Sequence, residues 1–171
     1  MTKPRTTSSS FEFDALEVAI EDGKDERVLY IGAMTAAELE QVSDAPRFQN
    51  STTDKAIALS ALNKPQEEWQ RPLSDTKTGE ITTRFMEPGF FMPNPVLLAV
   101  HPDHHANVDI DEITTRAATA TNLFRIQIDT SNGVHPLLIL DGQHRISGLA
   151  ALSPGDSLIP LVLLSSDSDV V

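Results

Sequence analysis

The sequence predicts an α+β protein of one domain, with a small mixed sheet flanked by helices and opened by an N-terminal β-hairpin. Three observations predict it. Apolar residues recur at strand spacing over 11–20 and again over 28–31, with the turn-forming run Glu21-Asp22-Gly23-Lys24-Asp25 between them. Leu137 to Leu140 form an unbroken apolar run too short for a helix, which reads as a buried strand. Between these lie segments that carry helix-starting residues and helical spacing.

A chain of 171 residues suits one domain. Residues 1–10 are expected as a disordered tail, 11–164 as the domain, and 165–171 as an acidic tail or a cut end. No apolar run approaches the roughly 20 residues that cross a membrane, and the first ten residues lack the apolar core of a signal peptide, so the cytoplasm is the expected location. The chain has no cysteine, which excludes disulfides, thiolate nucleophiles and zinc-thiolate sites. Its 13 basic and 25 acidic residues give a net charge of −12, which opposes non-specific attraction to a polyanion.

Along the chain, Phe11, Phe13, Leu16, Val18 and Ile20 suggest a strand with one slip in its alternation, and Val28 to Ile31 the strand paired with it. Thr35 and Glu38 have the spacing of a capping box, so a short helix runs to about Val42, and a second helix is expected over Asp54 to Leu62. Trp69 reads as a packing residue. Ser74 or Asp75 should cap a further helix to about Glu87, with Ile81 and Phe85, and also Thr78 and Met86, on its buried side. Pro93-Asn94-Pro95 leads rigidly into a central strand, Val96 to Val100. His101, His104 and His105, with Asp109 and Asp111 nearby, have the ligand types of a metal site, but adjacent histidines face opposite ways on a strand and Pro-Asp is turn chemistry, so a loop is expected. Residues Leu123 to Ile128 alternate as a half-buried strand, and Ser131-Asn132-Gly133 predicts a hairpin that pairs this strand antiparallel with Pro136 to Asp141. Ile159 to Leu164 makes a last strand, placed near an edge at its start by Pro160.

After Leu140 the chain breaks at Asp141-Gly142, and Ile146, Leu149 and Leu152 then recur three apart among small residues. The unit is strand, tight turn, helix. The first N–H groups of a helix lack intrahelical partners and carry partial positive charge, so such a turn favours an anion. Gly142 keeps a Cβ out of the way, and Arg145 in the first turn supplies a charge-assisted contact. The plainer alternative has Asp141 capping the helix, Arg145 paired with a carboxylate, and His144 at the surface.

Residues 141–145 read DGQHR, and on them the chain resembles the DGQHR-domain proteins, the DndB-like family of DNA phosphorothioation systems within the ParB/sulfiredoxin superfamily. In ParB-type domains the similar turn reads Gly-x-x-Arg-x-x-Ala and holds a nucleoside triphosphate; Gly142, Arg145 and Gly148 take those places. Gln143 stands where sulfiredoxin has its reactive cysteine, so that thiol reaction is excluded. The resemblance extends to a Gln70-Arg71 turn facing the same pocket, to Lys77, Glu80, Ile81 and Phe85 on the following helix, and to the Phe90-Phe91 pair before the central strand.

The resemblance implies a ParB/sulfiredoxin-like fold and a phosphate site formed by Gly142, Gln143, His144, Arg145, Gln70 and Arg71. It further implies magnesium with ATP or CTP as cofactor, Asp141 and His144 as the groups that orient water or the ion in any hydrolysis, and work in DNA modification or its regulation. With this net charge, DNA contact is expected through other parts or subunits, and a homo-oligomer is among the expected states. The alternative is a non-enzymatic DNA-binding regulator or assembly module in which DGQHR is structural. A third reading, an acidic mimic of DNA, has no regular stripe of carboxylates to support it.

Overall fold

A computed structural model describes residues 10–22, 25–45, 74–87, 94–113, 122–131, 133–152 and 157–165. The expected helix over 54–62, Trp69, the Gln70-Arg71 turn, Phe90-Phe91 and the two expected tails, apart from Ser10 and Ser165, lie outside these residues.

The described chain is mixed α and β. Strands β1 (Ser10–Asp22) and β2 (Asp25–Thr35) form the expected antiparallel hairpin. Helix α1 (Ala36–Val42) starts at a true capping box, in which Thr35 Oγ1 accepts from the Glu38 N–H at 3.2 Å and the Glu38 carboxylate accepts from the Thr35 N–H at 2.9 Å. After the two-residue β3 (Ser43–Asp44) come helix α2 (Asp75–Phe85), capped by Ser74, and β4 (Val96–Val100). A 3₁₀ turn (Pro102–Asn107) holds the histidine cluster, followed by β5 (Val108–Glu112) and β6 (Leu123–Asp129). The chain then runs through β7 (Leu137–Asp141), helix α3 (Gln143–Ala150) and β8 (Leu158–Leu164).

The eight strands among the described residues join one sheet in the order β3-β7-β4-β8-β2-β1-β6-β5. Its inner face carries Phe11, Phe13, Tyr30, Met34, Val96, Leu98, Ile126, Ile128, Leu137, Ile139, Ile159, Leu161 and Leu163, all buried, and α1 and α3 pack their Leu39, Val42, Ile146 and Leu149 into the same core. Five apolar residues on the other face of the sheet, Ala99, Leu138 and Leu140 with Leu97 and Leu164, make a second, smaller cluster. Strand β7 is therefore apolar on both sides because both of its sides are covered.

Three sequence expectations need correction. Strand β6 does not pair with β7: it lies between β1 and β5, while β7 lies between β3 and β4. The Ser131–Gly133 turn forms, with Asp129 accepting from the Ser131 N–H at 2.8 Å and Gly133 at φ +70°, but the chain leaves it to cross the molecule. The physical reason is the burial pattern: β6 turns alternate residues outward and suits a half-exposed position, whereas an all-apolar β7 needs neighbours covered on both faces. Next, β1 has no slip. Its pairing with β2 and β6 runs unbroken, so Phe11, Phe13 and Ala15 point inward while Leu16, Val18 and Ile20 stand on the opposite face. Finally, Met86 ends α2 exposed rather than on its buried side. The edge suggested by Pro160 is local: β8 is an interior strand, but its pairing with β4 begins only at Leu161, so Pro160 has β2 alone beside it.

Candidate functional site

Strand β7 ends at Asp141, and the backbone reverses at Gly142 with φ +104° and ψ 10°, a left-handed conformation that only glycine adopts without strain. A Cβ at Gly142 would lie 2.6 Å from Cγ1 of Val96 on the neighbouring strand, so packing demands glycine as firmly as the dihedral does. The Gly142 carbonyl accepts from the N–H groups of Arg145 (2.9 Å) and Ile146 (3.0 Å), which starts α3 with no side-chain cap. Asp141 thus does not cap the helix.

Arg145 turns back over this corner. Its Nη2 donates to Oδ2 of Asp141 at 2.8 Å, and its Nη1 donates to the carbonyls of Asn94 (2.6 Å) and Pro95 (3.0 Å). The arginine side chain is 18% exposed and the aspartate 74%, so the pair sits at the rim with the cation inside and the carboxylate outward. One guanidinium therefore ties the end of β7, the start of α3 and the segment leading into β4. The carbonyl acceptors escaped sequence reasoning, although Asn94-Pro95 carries the signal: a residue before proline is held extended, and proline offers a carbonyl without a competing N–H.

His144, in the first turn of α3, accepts at Nε2 from the N–H of Ser74, the cap of α2, at 3.0 Å. Burial lowers its pKa, and the Lys77 ammonium lowers it further; a donor aimed at Nε2 also favours the neutral ring. The N-terminal ends of α2 and α3 are thereby joined, and Lys77 lies close enough to His144 for its charge to act on the ring. Further along, a Cβ on Gly148 would lie 3.0 Å from Cγ2 of Ile81 and 3.2 Å from the Thr78 carbonyl, and the Thr82 hydroxyl donates to the Gly148 carbonyl at 3.0 Å. The small residue at 148 serves helix contact. Gln143 is buried and engaged in bonding.

Of the expected site residues, Asp141, Gly142, Gln143, His144 and Arg145 share this corner, and Gln70 and Arg71 lie outside the described residues. The histidine cluster is a turn, as expected: His101 Nδ1 accepts from the Asp103 N–H at 3.1 Å, closing a local cap. Among the described residues no group of three His, Cys, Asp or Glu side chains could hold a metal ion, and no helix is long and apolar enough to cross a membrane. Comparison with protein-family models, with curated proteins and with solved structures finds no match.

Proposed function

We propose that the Gly142 corner is the floor of a nucleotide-phosphate site in a DGQHR-type domain, working in the cytoplasm in DNA modification, such as phosphorothioation, or in its regulation. The observation that carries the reading is the left-handed Gly142 directly after a buried strand, which opens a helix whose first backbone amides have no side-chain cap. In this reading the phosphates lie on the Gln143 and His144 amides, with Lys77 as the described cation beside His144 and Arg71 added on the resemblance alone. Arg145 keeps Nε and one Nη2 hydrogen for a ligand after its three bonds to protein, so its main work is to hold the corner.

The fit to a magnesium nucleotide rests on donor chemistry. Asp141 is the exposed carboxylate at the corner, and its Oδ1 is not the atom bonded to Arg145. Magnesium keeps several waters and binds through phosphate oxygens with one or two carboxylates, so a single Asp141 suffices. The ion would supply charge neutralisation of the phosphates. For orienting water Asp141 is the better placed residue, since the Nε2 lone pair of His144 already serves the Ser74 N–H.

The alternative, a non-enzymatic regulator or assembly module with a structural DGQHR, has its own observation: three of Arg145's donors already hold protein oxygens. Calorimetric titration with ATP and with CTP, with magnesium, separates the two. Nucleotide binding that weakens at least tenfold in Lys77→Ala, with the melting temperature unchanged, is the expected result. Absence of binding to both nucleotides by a folded wild type, with Arg145→Ala lowering only the melting temperature, rejects the pocket and leaves the structural role.

A further inference from the structure

The outer face of the sheet carries an unbroken apolar band. Reading the pairings across strands, Leu97 on β4, Val162 on β8, Ile31 on β2, Leu16 on β1 and Leu123 on β6 lie in one row. The adjacent row on the same face is Ala99, Leu164, Leu29 and Val18, with Ile20 beyond it. At the β4 end this band is covered, since Ala99 is buried, but over β1 and β2 it is open: Leu16, Val18, Ile20 and Ile31 are 37–53% exposed. Apolar area of this kind, on the order of a few hundred Å² when contiguous, marks an interaction surface rather than scattered surface residues.

The border of the open end is acidic. Next to it on the same face comes a row of Asp14, Arg125 and Asp111, in which the Asp14–Arg125 pair at 2.9 Å cancels the arginine, and beyond that row stand Glu12 on β1 and Asp109 on β5, with Asp129 at the end of β6. Arg27, opposite Ile20, is the described cation at the far corner. A second copy would bring the same border and a further net charge of −12 to the contact. A partner segment with apolar residues on one side and Lys or Arg on the other matches both parts, its apolar side on the band and its cations over the carboxylates.

We infer that the outer face of β1 and β2 docks a basic amphipathic segment of another protein. Leu16, Val18, Ile20 and Ile31 form the apolar centre, and Glu12 and Asp109 the charged border. This surface lies on the face of the sheet opposite α1 and α3, and its reading does not depend on the nucleotide site.

The test uses the whole chain and a helical peptide of about 18 residues, built of leucine and lysine at amphipathic spacing. Its controls are a scrambled peptide of equal composition and one with glutamate for lysine. Binding is followed by fluorescence anisotropy at low and moderate salt, and self-association by sedimentation. The expected result is binding of the patterned peptide, at least tenfold weaker for either control. Ile31→Gln, at an exposed site, should weaken it about tenfold while the melting temperature holds. Glu12→Gln with Asp109→Asn should flatten the salt dependence. Equal binding of patterned and scrambled peptides, or indifference to Ile31→Gln, overturns the inference, because charge alone would then explain the attraction. A concentration-dependent dimer abolished by Ile31→Gln overturns it in favour of a second copy. A monomer that binds none of the peptides overturns it outright.

Discussion

At Gly142 a positive φ coincides with a neighbouring valine in van der Waals contact, and a substitution must meet both. In Gly142→Ala the left-handed backbone costs about 1–2 kcal/mol, and the Cβ placed 2.6 Å from Val96 Cγ1 forces a shift costing about 1–3 kcal/mol more. Urea unfolding should therefore show a loss of about 2–5 kcal/mol, and the loss caused by Gly142→Ala should be smaller when it is made in a Val96→Ala background. At His144 the prediction concerns pH. The unfolded side chain titrates near 6.5 and the folded one lower, so the unfolded state binds the proton more readily. The bond to Ser74 is then fully stabilising above that pH, and the stability is lost as pH falls from there through the folded pKa. Melting temperature measured between pH 8 and 5 should drop more steeply for the wild type than for His144→Phe. Parallel curves would mean that the ring is not held neutral by this contact. The DGQHR residues were identifiable from the sequence as one corner, but the partners of Arg145 were not, because backbone carbonyls leave no mark in a side-chain pattern.

Among the elements, the contact between α2 and α3 is the one that depends on a single small residue. None of the α2 side chains is fully buried, and its docking rests on partly buried Ile81 and Phe85, on the Thr82 hydroxyl and on the link from Ser74 to His144. Gly148→Leu places a side chain where a Cβ alone already meets Ile81 and the Thr78 carbonyl. Hydrogen exchange should show α2 losing protection while β4, β7 and β8 keep theirs; uniform loss across the sheet would show instead that α2 is bound into the main cooperative unit. Local signals are legible in the sequence at this scale. The Thr35–Glu38 capping box, the Ser74 cap and the half-buried alternation of β6 each depend on neighbours within a few residues, and each forms. The pairing of β6 with β7 failed because a turn signal says where the chain reverses and not what it meets afterwards.

For the molecule as a whole, the sequence supports a mixed α and β fold with an N-terminal hairpin, and that much is observed. The strand order was beyond it. Strands β4, β7 and β8 are short apolar runs of similar character, and their arrangement is decided by which faces become covered on both sides. The apparent slip in β1 belongs here too: it is a change in which face of the strand is apolar, and it makes sense only once the second face of the sheet is seen to be apolar as well.

Among the described strands, β8 is the one that bridges two groups, β3-β7-β4 on one side and β2-β1-β6-β5 on the other. It pairs with β2 across a separation of more than a hundred residues, Leu29 with Leu164 and Thr35 with Leu158. The β1–β2 hairpin, although made first on the ribosome, cannot join β4 and β7 through the sheet until nearly the last described residue has emerged. Such closure is slow, since the entropy of a long loop is lost before the contact rewards it. While it is pending, the inner edges of β2 and β4 stand open, and the nascent chain depends on speed of completion or on a chaperone to keep them from pairing elsewhere.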